Sequence, residues 1–205
     1  MVTPTFTNVS GGEYDIDDLQ VVGVEDTGAN IQVMNASGGW TGIYFWYNEF
    51  TDEGGTTYPA GWMDINGEQS AEITLKPGDA VFFNTSATGA AIQSAGQVPN
   101  AITNSVAVGF SMVGNGSPIA ISVDDLAVIG VEDTGANIQV MNASGAWTGI
   151  YFWYNEFTDG EGTTYPAGWM DINGEESANI TLQPGDAVFF NTSTSGAKVT
   201  IPSAL

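Results

Sequence analysis

Residues 40–50 read WTGIYFWYNEF, and the same eleven residues recur at positions 147–157. Aromatic and β-branched side chains dominate this stretch, so it predicts a long β-strand. Side chains of a strand alternate between its two faces. Alternation predicts apolar side chains on both faces, with Trp40, Tyr44, Trp46 and Phe50 on one and Ile43, Phe45 and Tyr47 on the other. One face can serve a core, and the other must meet a second sheet, the other repeat, a ligand or another molecule.

The repetition extends well beyond this strand. Residues 23–86 align without gaps onto residues 130–193 at an offset of 107, with 58 of 64 positions identical. Weaker matches continue on both sides, so the repeating unit is about 100 residues long, larger than a solenoid or propeller repeat. Two whole domains or two halves of one symmetric body are therefore favoured. The predicted boundaries are 1–98 for the first unit, 99–105 for a linker and 106–205 for the second unit.

Short apolar runs separated by turn signals indicate the fold class. Asn66-Gly67 lies between two such runs and is the strongest short-range hairpin signal, and Pro77-Gly78-Asp79 marks another turn. No window combines helical periodicity with helix caps. The sequence therefore predicts an all-β protein of two tandem, near-identical β-sandwich or barrel-like units. The short linker between apolar flanks favours units that pack together.

The charge of the chain is its main compositional anomaly. Asp and Glu number 24 against 2 Lys and Arg, which gives a net charge of -22. Phosphate contacts need Lys or Arg, so this composition argues against nucleic-acid binding and against electrostatic docking on anionic membranes. Cys and His are absent, which excludes disulfides, thiol chemistry and metal ligation by those residues. No run approaches ~18 apolar residues, so no membrane insertion is predicted.

The first residues lack the basic and apolar regions of a signal peptide. Two interpretations remain, a cytoplasmic protein or a chain that begins after a removed leader. We favour the second, because abundant Thr, Ser, Asn and Gly with almost no Lys is typical of exported bacterial surface proteins. The predicted location is extracellular or at the cell surface.

Two glycine-containing motifs frame the second unit. Residues 109–115 read GFSMVGN, and residues 184–191 read PGDAVFFN after the aromatic strand. This order resembles β-rich tandem repeat modules of bacterial secreted and surface proteins, which pair a GFSLVGN-like opening with a PGxGFFxxN-like closing strand. The resemblance covers most of each unit and implies no defined activity and no catalytic residues. The first unit opens instead with Thr5-Phe6-Thr7-Asn8, which leaves open a different pairing of its first strand.

Carboxylate pairs are the candidates for catalysis. They are Glu25 with Asp26, Glu49 with Asp52, Asp64 with Glu68, and the copies Glu132 with Asp133, Glu156 with Asp159 and Asp171 with Glu175. A glycosidase needs two carboxylates across a cleft and aromatic rings that hold the sugar. Any acidic protein supplies such pairs, and a near-identical second copy argues against one asymmetric active site. The sequence therefore predicts that the protein is not an enzyme.

The segment from Asp64 to Glu68 places oxygen ligands at alternate positions, as calcium loops do. The full EF-hand spacing is missing, so we favour an Asn-Gly hairpin turn with solvated carboxylates. Weak calcium binding stays open, because divalent cations would relieve the repulsion within so acidic a molecule. The candidate ligands are Glu49, Asp52, Asp64, Asn66, Glu68, Glu156, Asp159, Asp171, Asn173 and Glu175. No other cofactor is predicted.

Aromatic rings could stack on a sugar or be covered in an assembly. The candidates are Trp40, Tyr44, Trp46, Tyr58, Trp62, Trp147, Tyr151, Trp153, Tyr165 and Trp169. Strand aromatics are more often core residues, yet the central strand carries more aromatic surface than one face of a small core needs. The leading hypothesis is a non-catalytic, extracellular structural or adhesive β module that self-associates into a surface assembly or filament. The alternative is a carbohydrate-binding module with one aromatic site per unit and a glycan as partner.

Overall fold

A computed structural model describes residues 5–7, 13–34, 37, 39–68, 71–87, 90–93, 101–141, 146–175 and 178–202. These residues form β-strands and two single-turn 3-10 helices, Ile16–Asp18 and Val123–Asp125. The predicted all-β class is confirmed. Within the ranges given above, no helix is long and apolar enough to cross a membrane.

We call residues 5–93 the first half of the chain and residues 101–202 the second half. The strands of the first half are β1 (Thr5–Thr7), β2 (Tyr14–Asp15), β3 (Gln20–Val22), β4 (Ala29–Met34), β5 (Trp40–Tyr47), β6 (Phe50–Thr51), β7 (Thr57–Tyr58), β8 (Gly61–Met63), β9 (Thr74–Leu75), β10 (Ala80–Thr85) and β11 (Ala91–Gln93). Those of the second half are β12 (Ile102–Ser105), β13 (Gly109–Gly114), β14 (Ile121–Ser122), β15 (Ala127–Ile129), β16 (Ala136–Met141), β17 (Trp147–Tyr154), β18 (Phe157–Thr158), β19 (Thr164–Tyr165), β20 (Gly168–Met170), β21 (Thr181–Leu182), β22 (Ala187–Thr192) and β23 (Lys198–Ile201).

Two five-stranded antiparallel sheets dominate the fold. The first sheet has the order β1-β10-β4-β5-β8, and the second has the order β13-β22-β16-β17-β20. β1 pairs with β10 in the register that β13 uses with β22, since Phe6 lies opposite Val81 and Val113 opposite Val188. The different opening sequence of the first half therefore leaves the pairing of its first strand unchanged.

Short ladders lie beside these sheets. They are β2–β9, β6–β7, β14–β21, β18–β19, β3–β11 and the three-stranded β12-β23-β15. The last of these changes the interpretation of the predicted linker, because Ile102 pairs with Ile201 and the rest of β12 runs along β23. Residues 102–105, within the predicted linker, thus form a strand of this sheet. The reason is burial, since the Ile102 side chain packs against the core of the second half.

Each large sheet buries one of its faces in an apolar core. The core of the first half contains Ile16, Leu19, Val21, Val24, Ala29, Ile31, Trp46, Trp62, Ala71, Leu75, Val81 and Phe83. The core of the second half contains Val106, Val113, Ile121, Val123, Leu126, Val128, Val131, Ala136, Ile138, Trp153, Trp169, Ala178, Leu182, Val188, Phe190, Ala197, Val199 and Ile201. The central aromatic strands contribute to both cores through the alternate positions that face inward.

A β-bulge changes the face on which Trp40 lies. The register of β4 against β5 shifts between Val33 and Met34, so Thr41 is an extra residue on β5. Strict alternation predicts Trp40 on the same face as Trp46, but the extra residue places the two rings on opposite faces. Trp46 is 4% exposed and Trp40 is 43% exposed. The predicted assignment of Trp40 is therefore wrong, and the same bulge recurs between β16 and β17.

The two large sheets meet through the faces that point away from their cores. The Trp40 ring lies 5.5 Å from the Phe82 ring and 6.3 Å from the Phe189 ring, measured between centroids. Phe189 is only 2% exposed although it lies outside the second core. Outer-face aromatics of the two halves therefore cover one another at this contact.

Backbone and side-chain hydrogen bonds join the same two halves. Asn104 Nδ2 donates to the main-chain oxygen of Pro77 at 2.8 Å, and the Gly114 amide donates to the Gly78 oxygen at 3.0 Å. A single antiparallel bridge also pairs Asp79 with Val113. The turn before β10 is thus attached to β12 and β13.

Candidate binding surface

Four of the predicted ligand or interface aromatics lie inside the cores. Trp46, Trp62, Trp153 and Trp169 are all buried. The Trp46 and Trp62 rings meet at 5.4 Å in a T-shaped arrangement, and Trp153 and Trp169 repeat it. Their rings fill space between sheet and ladders, so they cannot present a face to a ligand. Tyr44 and Tyr151 are half-buried and pack against the same cores.

The two innermost indoles have no hydrogen-bond acceptor among the described residues. Trp62 Nε1 and Trp169 Nε1 are both buried, and no described atom accepts a hydrogen bond from either. Each indole instead makes a T-shaped contact, Trp62 with Phe83 at 6.1 Å and Trp169 with Phe190 at 6.0 Å. Aromatic edges and faces attract one another, which offsets part of the cost of the unpaired N–H. These rings act in packing.

An apolar surface lies on the other face of each central strand. The outer patch of the first sheet consists of Ile43, Phe45, Tyr47, Met63 and Ile65. Its centre is the pair Phe45 and Met63, which lie opposite each other on β5 and β8. Ile43 is 48% exposed and Ile65 is 62% exposed, and none of the five side chains carries a charge. Contiguous exposed apolar groups of this kind mark interaction surfaces.

The same patch occurs in the second half of the chain. Its members are Ile150, Phe152, Tyr154, Met170 and Ile172, each 107 residues after its counterpart. Ile150 and Ile172 are exposed, as in the first copy. The register is also shared, because Phe152 lies opposite Met170. The protein therefore presents two equivalent outer patches.

A tight turn holds Ile65 over the first outer patch. The Asp64 carboxylate accepts hydrogen bonds from the amides of Asn66 and Glu68 at 3.1 and 3.0 Å, and Tyr47 donates its hydroxyl to the Ile65 oxygen at 3.1 Å. Gly67 has a φ of 71°, in the region that favours glycine. A turn is present at Asn66-Gly67, and the Asp64 carboxylate stabilises it. The predicted hairpin is wrong, however, because the described strands on either side do not pair with each other: β8 pairs with β5, and β9 pairs with β2.

Exposed aromatic pairs stand on the β6–β7 and β18–β19 hairpins. Phe50 and Tyr58 stack with centroids 4.7 Å apart and an interplanar angle of 9°. Phe157 and Tyr165 repeat the stack at 4.7 Å and 8°. All four rings are exposed. Of the predicted aromatics, Tyr58 and Tyr165 thus lie at the surface, each in a preformed stack.

Carboxylates in these hairpins are engaged by the turn backbone. The Asp159 carboxylate accepts hydrogen bonds from the amides of Thr163 and Glu161, both at 2.9 Å. The bond from Thr163 is the largest influence that holds the pKa of Asp159 below its ordinary value. Asp52 accepts a hydrogen bond from the Thr56 amide at 2.8 Å in the equivalent turn. These side chains therefore stabilise hairpin loops.

The predicted calcium ligands are spread over separate turns. In the part of the chain that the structure describes, no three acidic side chains gather into a group that could hold a metal ion. Asp171 caps its turn as Asp64 does, by accepting from the amides of Asn173 and Glu175 at 3.1 and 2.9 Å. Glu49 and Glu156 are exposed. The carboxylates of Asp64 and Asp171 therefore stabilise turns, and weak calcium binding stays a prediction.

Trp40 and Trp147 are the remaining predicted aromatics. Trp40 is partly exposed beside Phe82 and Phe189. Trp147 begins β17, and its side chain lies outside the described part of the structure. Phe50, Ile65 and their copies were not among the predicted site residues, although they are the most exposed members of these surfaces.

Comparison with known proteins finds no matching family model, no matching curated protein and no matching solved structure. The candidate function therefore depends on the surfaces of this chain alone. Those surfaces are two outer patches, two stacked aromatic pairs and the contact between the two sheets.

Proposed function

We propose that this protein is a non-catalytic, extracellular structural or adhesive β module that associates with copies of itself through its outer patches. In this proposal the two halves are near-identical tandem units that pack together, and each offers one patch. The observation that carries the proposal is the uncharged outer patch itself, which combines two exposed isoleucines with three half-buried side chains and is present twice. A molecule with two such patches can bind a neighbour at each one and extend into a surface assembly or filament.

The contact within the chain supports a second copy as the partner. Phe82 and Phe189 are equivalent positions, 107 residues apart, and both lie on outer faces. Trp40 contacts both rings, and Phe189 is buried. This sequence thus already packs one outer face against another. Covering the exposed Ile43 and Ile65 in the same way would contribute about 25 cal/mol for each Å² of apolar area buried, and the entropy lost on association offsets part of this contribution.

The charge of the protein sets the conditions for association. Two copies of a molecule with a net charge of -22 repel each other, although the patches themselves are uncharged. Salt screens repulsion between solvent-exposed charges and leaves apolar burial largely intact. Association through the outer patches should therefore strengthen as the salt concentration rises. An association carried by ion pairs would weaken instead.

Sedimentation velocity over about 10 µM to 1 mM protein, at low salt and at about 0.5 M NaCl, tests the proposal. The variant Ile43→Thr/Ile150→Thr keeps β-branched side chains but removes apolar surface from both patches. We expect it to raise the dissociation constant at least about tenfold. The matched control is Ile119→Thr/Ile129→Thr, which changes two exposed isoleucines outside the patches. A wild type that stays monomeric at high salt, or equal effects of both variants, would overturn the proposal.

A second candidate function is glycan binding through the stacked pairs. Phe50–Tyr58 and Phe157–Tyr165 are exposed, flat and duplicated, which suits stacking on sugar rings at one site per unit. Affinity electrophoresis in polysaccharide gels tests this candidate. Tyr58→Ala/Tyr165→Ala should then abolish retardation, and Ile43→Thr/Ile150→Thr should leave it unchanged. No retardation by any polysaccharide tested would remove the candidate.

A further inference from the structure

The second half shows what covers the outer edge of its last strand. β12 runs antiparallel to β23, with Ile102 opposite Ile201. The pairing continues beyond the strand, because the Val106 amide donates to the Ala197 oxygen at 3.0 Å. Ile102 packs against the core and Val106 belongs to it. This segment therefore seals the core with two apolar side chains that lie four residues apart.

The equivalent edge in the first half has no such strand among the described residues. β11 pairs with β3 in the register that β23 uses with β15, since Ile92 lies opposite Val21 and Val199 opposite Val128. On its other side, β23 pairs with β12, whereas no described strand pairs with the other side of β11. In the part of the chain that the structure describes, the two edges thus differ by one strand.

Burial confirms that this difference leaves apolar surface uncovered. Ala197 and Val199 are 0% and 1% exposed, and their equivalents Ala90 and Ile92 are only half-buried. The side chains are identical or closely similar at each position, and the greater burial in the second half fits the presence of β12 beside β23. The edge of β11 also lacks the lysine that commonly guards an open strand edge, while β23 carries Lys198.

The backbone groups that face the open edge follow from the pairing in the second half. In an antiparallel ladder, residues that exchange hydrogen bonds with one neighbour alternate with residues that bond to the other. Val106 bonds to Ala197, so Asn104 and Val199 form the next bonded pair along this edge. By equivalence, Ile92 directs its N–H and C=O away from β3 and towards the open side.

We propose that the outer edge of β11 is an acceptor site for one antiparallel strand supplied by another molecule. Its occupant is an extended peptide segment of the chemistry of residues 102–106, apolar at the first and fifth positions and uncharged between them. The fifth residue would lie opposite Ala90 and the third opposite Ile92. Main-chain hydrogen bonds would provide affinity and the two apolar side chains would provide register. This site is separate from the outer patches and does not depend on the function proposed for them.

A synthetic peptide with the sequence of residues 100–107, capped at both ends, tests the proposal on the full chain. Titration followed by fluorescence anisotropy should show saturable binding with one peptide per protein. Hydrogen exchange should show new protection at residues 90–93 and unchanged protection at residues 198–201, because β12 already covers β23.

Two modified peptides distinguish strand pairing from non-specific binding. Methylation of the backbone nitrogen of Asn104 removes a donor that faces Ile92, and binding should weaken at least about tenfold. Methylation of the nitrogen of Thr103, which faces away from β11, should change binding by less than about threefold. Absence of binding at about 1 mM peptide, equal loss from both methylations, or new exchange at residues 198–201 would each overturn the proposal.

Discussion

Asn104 donates its side-chain amide to the main-chain oxygen of Pro77 at 2.8 Å, which ties β12 to the turn before β10. The next residue, Gly78, has a φ of 82°, and a Cβ there would lie 2.7 Å from Asn104 Nδ2 and 2.8 Å from Ile201 Cδ1. Its equivalent Gly185 has a φ of 90°, and no described atom lies within 4 Å of a Cβ there. A side chain at position 78 would therefore meet the second half, whereas one at position 185 would meet no described residue.

Gly78→Ala should destabilise the protein more than Gly185→Ala does. Both substitutions strain a left-handed backbone, which costs about 1–2 kcal/mol. Gly78→Ala must also displace Asn104 and Ile201, which adds about 1–3 kcal/mol of overpacking. Urea unfolding of both variants measures the difference. Equal losses would show that the turn does not pack against the second half in solution.

Glu72→Asn should stabilise the protein. Glu72 has a φ of 44° and its equivalent Asn179 a φ of 50°, in the left-handed region that Asn tolerates better than Glu. We expect a gain of about 0.5–1 kcal/mol in the free energy of unfolding, and a similar loss for Asn179→Glu. Glu72→Gln removes the same charge without the backbone benefit and should gain less. If Glu72→Gln and Glu72→Asn raised the free energy of unfolding equally, the gain would come from the lost charge rather than from the backbone.

Asn48→Ala should destabilise the first half of the chain. Trp46 Nε1 donates to Asn48 Oδ1 at 3.1 Å, and Asn48 Nδ2 donates to the Val24 oxygen and to Asp26 Oδ1 at 3.2 and 3.0 Å. The substitution leaves the indole of the buried Trp46 without this acceptor, so we expect a loss of about 2–3 kcal/mol. Asn84→Ala changes an exposed strand residue and should cost less than about 0.5 kcal/mol. Urea unfolding followed by tryptophan fluorescence compares them.

Asp79→Asn should change how stability depends on pH. Burial raises the pKa of Asp79 above its ordinary value of 3.8, against a smaller lowering by the hydrogen bond from the Lys76 amide. Between the ordinary and raised values the folded protein binds more protons than the unfolded chain, so this carboxyl favours folding increasingly as the pH falls. The stability of the variant minus that of wild type should be greater at about pH 7 than at about pH 4.5.

Asp159→Asn is the control, because its stability difference from wild type should change with pH in the opposite direction. The pKa of Asp159 is lowered, chiefly by the Thr163 amide, so its contribution to stability is present above 3.8 and is lost as the pH falls through the lowered value. The stability of this variant minus that of wild type should be lower at about pH 7 than at about pH 3. Urea unfolding at each pH measures both differences. If the stability difference from wild type changes with pH in the same direction for both variants, the environments assigned to Asp79 and Asp159 are wrong.

Short sequence patterns predicted the features of the fold that depend on residues close together in the chain. Alternation placed Trp46 and Phe45 on opposite faces of the central strand, and Asn66-Gly67 predicted its turn. Neither the bulge at Thr41 nor the pairing of β12 could be predicted in this way. Thr103 and Thr200 meet 97 residues apart, and Ile102 is the only apolar residue in β12. A strand of this length cannot be identified from its own residues, because its formation depends on the distant strand with which it pairs.

Surface assignments were harder to predict than strands. The tryptophans were predicted as candidate site residues for their ring size, but size also makes them suitable for the core, and Trp62 and Trp169 are fully buried. The stacked pair of Phe50 and Tyr58 has a recognisable pattern in the sequence. Phe50-Thr51 and Thr57-Tyr58 are mirror images about the polar loop, as expected for residues that face each other across a hairpin.

The near-identity of the two large sheets has a consequence for folding. β4 and β16 have the same sequence, and so do β5 and β17. A refolding chain can therefore pair β4 with β17 through the same side chains that it uses with β5, which creates strand-exchanged traps of comparable energy. The edge strands differ in sequence, because β1 reads Thr5-Phe6-Thr7 where the equivalent positions of β13 read Met112-Val113-Gly114. That difference disfavours exchange of the two edge strands while the chain folds.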